Sequence, residues 1–282
     1  MQGYNETTDY FKNRDGLTFF YRHYRSENEK RYMVISHGLG EHSGRYLNLV
    51  EKLCPMGISI FIHDHRGHGK SHGKTGHIDR FDQYTDDLDA MIDIAAQKTK
   101  SDIPMLLLGH SMGGLIALSY AIGTPDKING LVVSSPLLEP AIKVSPVLRF
   151  LSKIMSVISP GMTFSSQVTS EMISHDDATI KQREKDPLVH SRVSARWVTE
   201  CTRAMESTTS AAKRLALPVL MQVAGKDHLV RAEASKAFFN NLTVEDKSLH
   251  IYDDMYHEIY NETRERKELV LNDLLVWIRD RF

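Results

Sequence analysis

The sequence of 282 residues has few cysteines, no long apolar run and no excess of charge of one sign. Its two cysteines, Cys54 and Cys201, are too few for a disulfide framework, and we expect both to be buried free thiols. No apolar run is long enough to cross a bilayer, and the first residues lack the apolar segment of a signal peptide. A net charge of −1 and the lack of a long basic run give no electrostatic footprint for nucleic acid. We therefore expect a soluble, cytoplasmic protein that does not bind nucleic acid.

Short apolar runs alternate with helical patterns along most of the chain. Five runs are typical of strands that are buried on both faces of a parallel sheet, namely residues 32–36, 58–62, 105–109, 130–134 and 218–223. A weaker run covers residues 247–252. Amphipathic helical spacing is found at residues 46–53, with Ser43 as the expected N-cap, and at residues 79–98 and 264–282. This alternation predicts an α/β fold with a doubly wound, mostly parallel central sheet flanked by helices.

Residues 137–206 interrupt the alternation. This segment has helical patterns broken by prolines and contains no strand run, whereas the strand pattern resumes at residue 218. We interpret residues 1–136 and 207–282 as one core domain, with residues 137–206 inserted in it as a helical cap. The cap is expected above the edge of the sheet where strand ends carry ligand-binding loops.

The segment Gly109-His110-Ser111-Met112-Gly113 carries the clearest chemical signal. It has the pattern G-x-S-x-G, and it stands between a strand pattern and a helix pattern, as a nucleophile elbow requires. The two glycines leave room in a tight, strained turn. Ser111 then lies at a helix N-terminus, where free N–H groups and the helix dipole favour developing negative charge. We predict that Ser111 is a nucleophile and not part of an ordinary glycine turn.

A nucleophilic serine needs a base, and the base needs a carboxylate that orients it. In hydrolases with this elbow, the acid and the histidine follow the serine in that order, on loops after later strands. Asp227 follows the run at 218–223, and His257 follows the weaker run at 247–252. Asp253 and Asp254 are alternative acids, but they share a short loop with His257. The order of these loops therefore predicts Ser111, Asp227 and His257 as a catalytic triad.

The oxyanion that forms during ester cleavage must be met by preorganised N–H donors. A His-Gly turn at residues 37–38 follows an early strand run, and in such hydrolases this turn supplies one donor. The residue after the nucleophile supplies the other. We predict the backbone N–H groups of Leu39 and Met112 as the two donors.

A cluster of histidines at residues 60–77 offers an alternative of another kind, a metal site. The cluster comprises His63, His65, His68, His72 and His77. Histidine and carboxylate at short spacing can bind zinc or iron. However, Gly67 stands where the metallohydrolase spacing H-x-H-x-D-H requires aspartate, and no later residues complete a ligand set. We therefore predict no metal here.

Seven segments together resemble the monoglyceride lipase and lysophospholipase branch of the α/β-hydrolases. They read HGLGEHSGRY, DHRGHGKS, GHSMGG, SSPLL, DPLVH, AGKDHLV and YHEIYNE, and the likeness extends from about Leu17 onward. The resemblance implies an α/β-hydrolase fold and no cofactor. It also implies that Ser111, Asp227 and His257 form the triad, with the Leu39 and Met112 N–H groups as oxyanion donors.

The same resemblance implies residues that bind the polar head of the substrate. Glu41 and Arg45 match residues that line the head-group pocket of the monoglyceride lipases. Two positions depart from the animal enzymes, because Arg183 and Tyr260 stand where those enzymes carry a tyrosine and a histidine. These four residues are our expected head-group contacts.

The segment 144–158 has an apolar face of about half a helical wheel, wider than the ~100° stripe that packing on a core requires. We expect Phe150, Leu151 and Val157 to line an acyl channel or to make transient contact with a membrane surface.

These observations predict a serine hydrolase that cleaves monoacyl lipid esters through an acyl-enzyme on Ser111. The alternatives are a carboxylesterase or acyltransferase for smaller esters and, from another class, a non-catalytic hydrolase-like binding protein. The sequence indicates no oligomeric state.

Overall fold

A mostly parallel, eight-stranded sheet forms the centre of the computed structural model. The structure describes residues 3–100, 102–141 and 146–282, and for residues 146–151 it describes the helical backbone but not the side chains. The strands of the chain are β1 (Tyr4–Lys12), β2 (Thr18–Ser26), β3 (Arg31–Ser36), β4 (Ile58–His63), β5 (Met105–His110), β6 (Gly130–Ser134), β7 (Thr163–Ser165), β8 (Arg192–Ser194), β9 (Val219–Ala224) and β10 (Lys247–Tyr252). The large sheet has the order β1-β2-β4-β3-β5-β6-β9-β10. The strands that run parallel to one another are β3, β4, β5, β6, β9 and β10, whereas β2 pairs antiparallel with β1 and β4.

Helices cover both faces of this sheet. They are α1 (Leu47–Leu53), α2 (Asp82–Lys98), α3 (Met112–Gly123), α4 (Pro146–Ile158), α5 (Asp177–Lys185), α6 (Ala195–Ser210), α7 (Ala232–Asn241) and α8 (Arg264–Arg279). Alternate residues of β5 point into two separate hydrophobic clusters, one on each face of the sheet. Leu107 packs in the cluster with α2, α3 and α7, whereas Leu106 and Leu108 pack in the cluster with α1 and α8. Burial of the central strands on both faces explains their continuous apolar runs. The predicted fold class is confirmed.

The two N-terminal strands, β1 and β2, were not predicted from the sequence, and neither were the three-residue strands β7 and β8 within residues 137–206. β1 is the edge strand, and only Phe11 of its nine residues is buried, so its sequence lacks an apolar run. A smaller difference concerns Ser43, which lies in a 3₁₀ turn at 43–45 and does not cap α1. The cap residue of that turn is His42, whose side chain accepts a hydrogen bond from the Gly44 N–H.

The chain between β6 and β9 carries α4, α5, α6 and the short two-stranded sheet of β7 and β8, outside the large sheet. α4 packs against α6, and α6 packs against α3 beside the core. The bounds of a cap at 137–206 stay a prediction. Within the described ranges, no helix combines the length and apolar character that crossing a bilayer requires.

Candidate active site

Ser111 occupies a sharp turn between β5 and α3. Its backbone has φ 54° and ψ −118°, a conformation that residues other than glycine rarely adopt. A Cβ atom at Gly113 would collide with the Ser36 carbonyl, and one at Gly109 would collide with the Gly113 carbonyl. Only glycine fits on either side of the serine, and the turn leaves Ser111 partly exposed at the start of α3.

His257 and Asp227 form a short, shielded pair. His257 Nδ1 lies 2.6 Å from Asp227 Oδ2, and the side chains are 4% and 0% exposed. The other carboxylate oxygen accepts hydrogen bonds from the backbone N–H groups of Leu229 at 2.8 Å and Val230 at 3.0 Å. These bonds fix the carboxylate on the loop after β9, so that one oxygen faces the imidazole.

Electrostatics reinforce this pair. Burial alone would lower the pKa of His257, but the Asp227 carboxylate and its hydrogen bond raise it above the ordinary value of 6.5. Burial alone would raise the pKa of Asp227, yet His257 and the two backbone N–H groups lower it overall. The carboxylate therefore stays ionised next to a histidine that accepts protons readily.

The His257 ring also lies beside the serine turn. Its centroid is 4.7 Å from that of His110, the residue directly before Ser111. The rival acids lie elsewhere, since Asp253 and Asp254 are both exposed, and Asp254 pairs with Lys226 at 2.6 Å. The geometry thus brings His257 together with Asp227 and the serine turn, and the role of the three residues as a catalytic triad stays a prediction.

The predicted oxyanion donors lie on two converging segments. A Cβ atom at Gly38 would lie 3.3 Å from Ser111 Cβ, so the loop after β3 runs against the serine. Among the described residues, neither the Leu39 N–H nor the Met112 N–H has a hydrogen-bond acceptor. Met112 is the first residue of α3, where N–H groups lack helical partners. Both N–H groups are therefore available to an external oxygen.

Glu41 holds the loop that carries Leu39. Its Oε1 accepts hydrogen bonds from the Gly38 N–H at 2.5 Å and from the Tyr46 hydroxyl at 2.7 Å. Burial alone would raise the pKa of Glu41, but the electrostatic influence of His110 and Arg45 lowers it to about 2. Glu41 is therefore ionised, and one of its oxygens is already used within the protein.

Arg45 connects this loop to the histidine loop. Its Nη2 lies 2.6 Å from Glu258 Oε2, and its Nε lies 3.4 Å from Glu41 Oε2. All three side chains are buried. Sequence reasoning missed Glu258, although its place directly after His257 is the one signal that could have pointed to it.

A small cavity opens beside this ion pair. Its lining residues are Glu41, Arg45, Tyr46, Leu49, His110, Glu258, Tyr260 and Asn261. Three of the four expected head-group residues thus line one cavity. Tyr260 offers only its ring, because its hydroxyl donates to Gln222 Oε1 at 2.6 Å inside the core. Their role in head-group binding stays a prediction.

The cap residues give a mixed outcome. Arg183, the fourth head-group candidate, lies on α5, half-buried, and donates from Nη1 to Ser170 Oγ at 3.3 Å. Val157 is 76% exposed on α4, so it faces solvent and does not line an enclosed acyl channel. The side chains of Phe150 and Leu151 lie outside the described residues.

The histidines that resemble a metal site form a buried ring cluster. The ring centroids of His63 and His65 are 4.7 Å apart, and those of His37 and His65 are 4.2 Å apart. His72 lies outside the cluster, on the surface, and His77 hydrogen-bonds Ser194 Oγ from Nδ1 at 2.8 Å. In the part of the chain that the structure describes, no group of three or more ligand side chains is arranged to hold a metal ion.

Comparisons with known proteins show what this chain is similar to. The sequence model of the Hydrolase_4 family, described as serine aminopeptidase, S33, matches residues 27–264. The chain is 35% identical to phospholipase YtpA of Bacillus subtilis, over 82% of this chain and 88% of that protein. It is 31% identical to the monoacylglycerol lipase of Mycolicibacterium smegmatis, over 87% of each chain. The crystal structure of Paleococcus ferrophilus monoacylglycerol lipase superimposes with a TM-score of 0.83 at 31% identity, covering 99% of this chain and 100% of that one.

Proposed function

We propose that this chain, which belongs to the Hydrolase_4 family described as serine aminopeptidase, S33, is a serine hydrolase that cleaves the ester bond of monoacyl lipids. The observation that carries the proposal is the shielded 2.6 Å contact between His257 and Asp227 beside the strained Ser111 turn. The relatives compared above are named monoacylglycerol lipases and a phospholipase, which favours lipid esters over peptides as substrates.

In this proposal Ser111 Oγ attacks the ester carbonyl while His257 Nε2 accepts the hydroxyl proton. Asp227 holds the imidazole through Nδ1–H and stabilises the imidazolium that forms. The Leu39 and Met112 N–H groups bind the oxyanion, a contribution of about 3 kcal/mol per donor in comparable sites. His257 then gives its proton to the departing alcohol, which leaves Ser111 acylated.

Water completes the cycle in the second half of the reaction. His257 takes a proton from the water as it attacks the acyl-enzyme, and a second tetrahedral oxyanion forms in the same hole. Collapse of that intermediate releases the fatty acid and returns the proton from His257 to Ser111 Oγ. Every step uses side chains or backbone groups of this chain.

The cap supports a further part of the proposal, transient contact with a lipid surface. Large apolar side chains are exposed on and just after α4, and they are Ile154, Val157, Ile158, Met162 and Phe164. Lys153 adds an exposed cation on the same helix. A monoacyl lipid resides in a membrane or a lipid aggregate, so an exposed apolar surface that includes a cation favours a lipid surface as the partner.

Vesicle flotation tests this contact. The double variant Val157→Ser, Ile158→Ser should bind anionic vesicles several-fold more weakly than the wild type. Leu269→Ser is the matched control, because Leu269 is an exposed apolar residue of α8. Equal binding by the wild type and both variants would contradict the contact.

The reaction itself is tested with Ser111→Ala. The variant should keep its thermal stability and lose about 10⁴–10⁶-fold in kcat for a monoacylglycerol, the scale of triad deletions. A fluorophosphonate should label the wild type and not the variant, and Ser210→Ala, at an exposed serine of α6, should behave as the wild type. Ester hydrolysis retained in Ser111→Ala, or a preference for aminoacyl anilides over lipid esters, would refute the proposal.

A further inference from the structure

The backbone on both sides of His257 is held by hydrogen bonds. The Tyr256 N–H donates to Glu262 Oε1 at 2.9 Å, and the Glu258 N–H donates to the Ile173 carbonyl at 2.8 Å. The contact with the triad carboxylate fixes one corner of the imidazole ring, at Nδ1. The direction in which the ring points therefore depends on the two backbone contacts as well.

Glu262 collects N–H donors from two separate segments of the chain. Its side chain is fully buried. Oε1 accepts from the Tyr256 N–H and from His175 Nδ1 at 2.7 Å, and Oε2 accepts from the backbone N–H groups of His175 at 3.2 Å and Thr263 at 3.3 Å. Backbone N–H groups point at both oxygens, so the side chain acts as the acceptor and His175 Nδ1 as the donor.

His175 belongs to a bridging segment, residues 173–175, which lies between β7 and α5. Its ring stacks on the Tyr256 ring, with centroids 3.6 Å apart and planes at 27°. The Ser174 hydroxyl of the same segment donates to the Asn261 carbonyl at 2.9 Å. All three residues of the bridging segment therefore contact the loop of the candidate triad histidine, and two of them contact the residues directly before and after that histidine.

We propose that His175 is a positioning residue, which acts through Glu262 to hold the His257 ring in the orientation that leaves Nε2 free for Ser111. This inference rests on the proposed function and adds a residue to its machinery. Proton transfer needs the two atoms at hydrogen-bond distance, and a misplacement of about 1 Å can cost about 100-fold in rate. The side chain of His175 is 29% exposed, so its removal should misplace the loop without unfolding the protein.

The first test is His175→Ala with 1-palmitoylglycerol as the substrate. We expect kcat per active site to fall about 10–100-fold, because the base no longer meets the serine proton in the required geometry. kcat/KM should fall by the same factor, as expected when the lost contact matters only in the transition state. Titration of active sites with a fluorophosphonate, together with thermal melting, corrects for unfolded protein, so lower stability alone does not produce this result.

The conservative variant His175→Asn separates the hydrogen bond from the ring stacking. Its amide nitrogen can take the place of imidazole Nδ1 and donate to Glu262, but it lacks the ring that stacks on Tyr256. This variant should keep kcat within about threefold of the wild type. His250→Ala is the matched control, because His250 on β10 also contacts a carboxylate, with Nδ1 3.3 Å from Asp273 Oδ2. The control should stay within about twofold of the wild type, since an exposed pair of this kind contributes little.

A double variant tests whether His175 acts through Glu262. Glu262→Gln places an amide NH₂ group against N–H donors at one of the two oxygen positions, so it should lose at least as much kcat as His175→Ala. The double variant His175→Ala, Glu262→Gln should then lose no more than about twofold beyond Glu262→Gln alone, because both changes break the same unit. Losses that multiply would show that His175 acts independently of Glu262 and would overturn the inference.

A second readout separates this inference from the proposed function. The proton between His257 Nδ1 and Asp227 Oδ2, which are 2.6 Å apart, should give a proton NMR resonance far downfield, whether or not an ester is hydrolysed. This resonance should move or broaden in His175→Ala and keep its position in His175→Asn. A wild type that hydrolyses no ester would refute the hydrolase, and the resonance would still decide whether His175 positions His257. Unchanged kcat in His175→Ala, or equal losses in His175→Ala and His175→Asn, would overturn the inference and leave the hydrolase standing.

Discussion

His257, which lies beside the Ser111 turn, and the histidine cluster that contains His63 are both buried, and they differ in their partners more than in their burial. His257 is buried and contacts a carboxylate, which raises its pKa. His63 is fully buried, and among the described residues neither of its ring nitrogens has a hydrogen-bond partner. Burial lowers its pKa to about 3. Burial thus lowers the pKa of a histidine, and at His257 the contact with a carboxylate reverses that effect by stabilising the charged form.

The neutral histidines have a structural use of their own behind the oxyanion loop. His37 Nε2 accepts from the His65 backbone N–H at 2.9 Å, which leaves its Nδ1 proton to donate to the Gly38 carbonyl at 2.8 Å. His65 Nε2 contacts Ser36 Oγ at 3.1 Å. The cluster therefore ties the loop before Leu39 to the loop after β4. Neutral rings suit this position, because within the described ranges no carboxylate hydrogen-bonds the rings of His37, His63 or His65 to stabilise a charge.

The largest expected effect comes from removal of the Asp227 carboxylate, which should abolish the feature that separates His257 from His63. Asp227→Asn should lower kcat about 10⁴-fold, since the amide neither stabilises the imidazolium nor holds the required tautomer. Steady-state hydrolysis of a monoacylglycerol measures the loss. Asp253→Asn and Asp254→Asn are the controls, and both should stay within threefold of the wild type. A mild Asp227→Asn together with a severe loss in the control variants would reassign the acid.

The raised pKa of His257 predicts a pH dependence of moderate size. The imidazole must be unprotonated to accept the serine proton, so activity falls as the pH drops through its folded pKa, which lies above 6.5. Below that pKa, kcat/KM should fall about tenfold per pH unit. In Asp227→Asn the residual activity should begin to fall only at lower pH, because the carboxylate that raises the pKa is gone. An unchanged acid limb in that variant would contradict the link between Asp227 and His257.

The sequence allowed the central strands and the loops of the candidate triad to be predicted, because each has a local signal. Apolar runs mark β5 and β9, and the glycines around Ser111 mark the turn. Features that depend on distant partners had no such signal. Arg45 and Glu258 are 213 positions apart in the chain, so spacing could not pair them. The hydroxyl of Tyr260 turns toward Gln222 in the core, which no motif indicates.

The smallest expected effect concerns the stability of the histidine cluster in acid. Between its folded pKa of about 3 and its ordinary value of 6.5, His63 takes up a proton in the unfolded chain but not in the folded protein. The unfolded state then binds more protons, so the free energy of unfolding falls as the pH drops below 6.5. At pH 5.5 this one histidine should lower the free energy of unfolding by about 1.4 kcal/mol relative to neutral pH.

His63→Leu should remove this loss of stability in acid without harming the fold at neutral pH. The reason is that an apolar side chain replaces a buried polar ring that has no hydrogen-bond partner among the described residues. Urea unfolding at pH 7.5 and pH 5.5 measures it, and the variant should lose about 1.4 kcal/mol less than the wild type between these values. His72→Leu is the matched control, since His72 lies exposed in the loop that follows β4. Activity of His63→Leu should be unchanged and should survive dialysis against a strong chelator. If His63→Leu lost as much stability in acid as the wild type, His63 would have to take up a proton equally in the folded and unfolded states, and the contrast with His257 would fail.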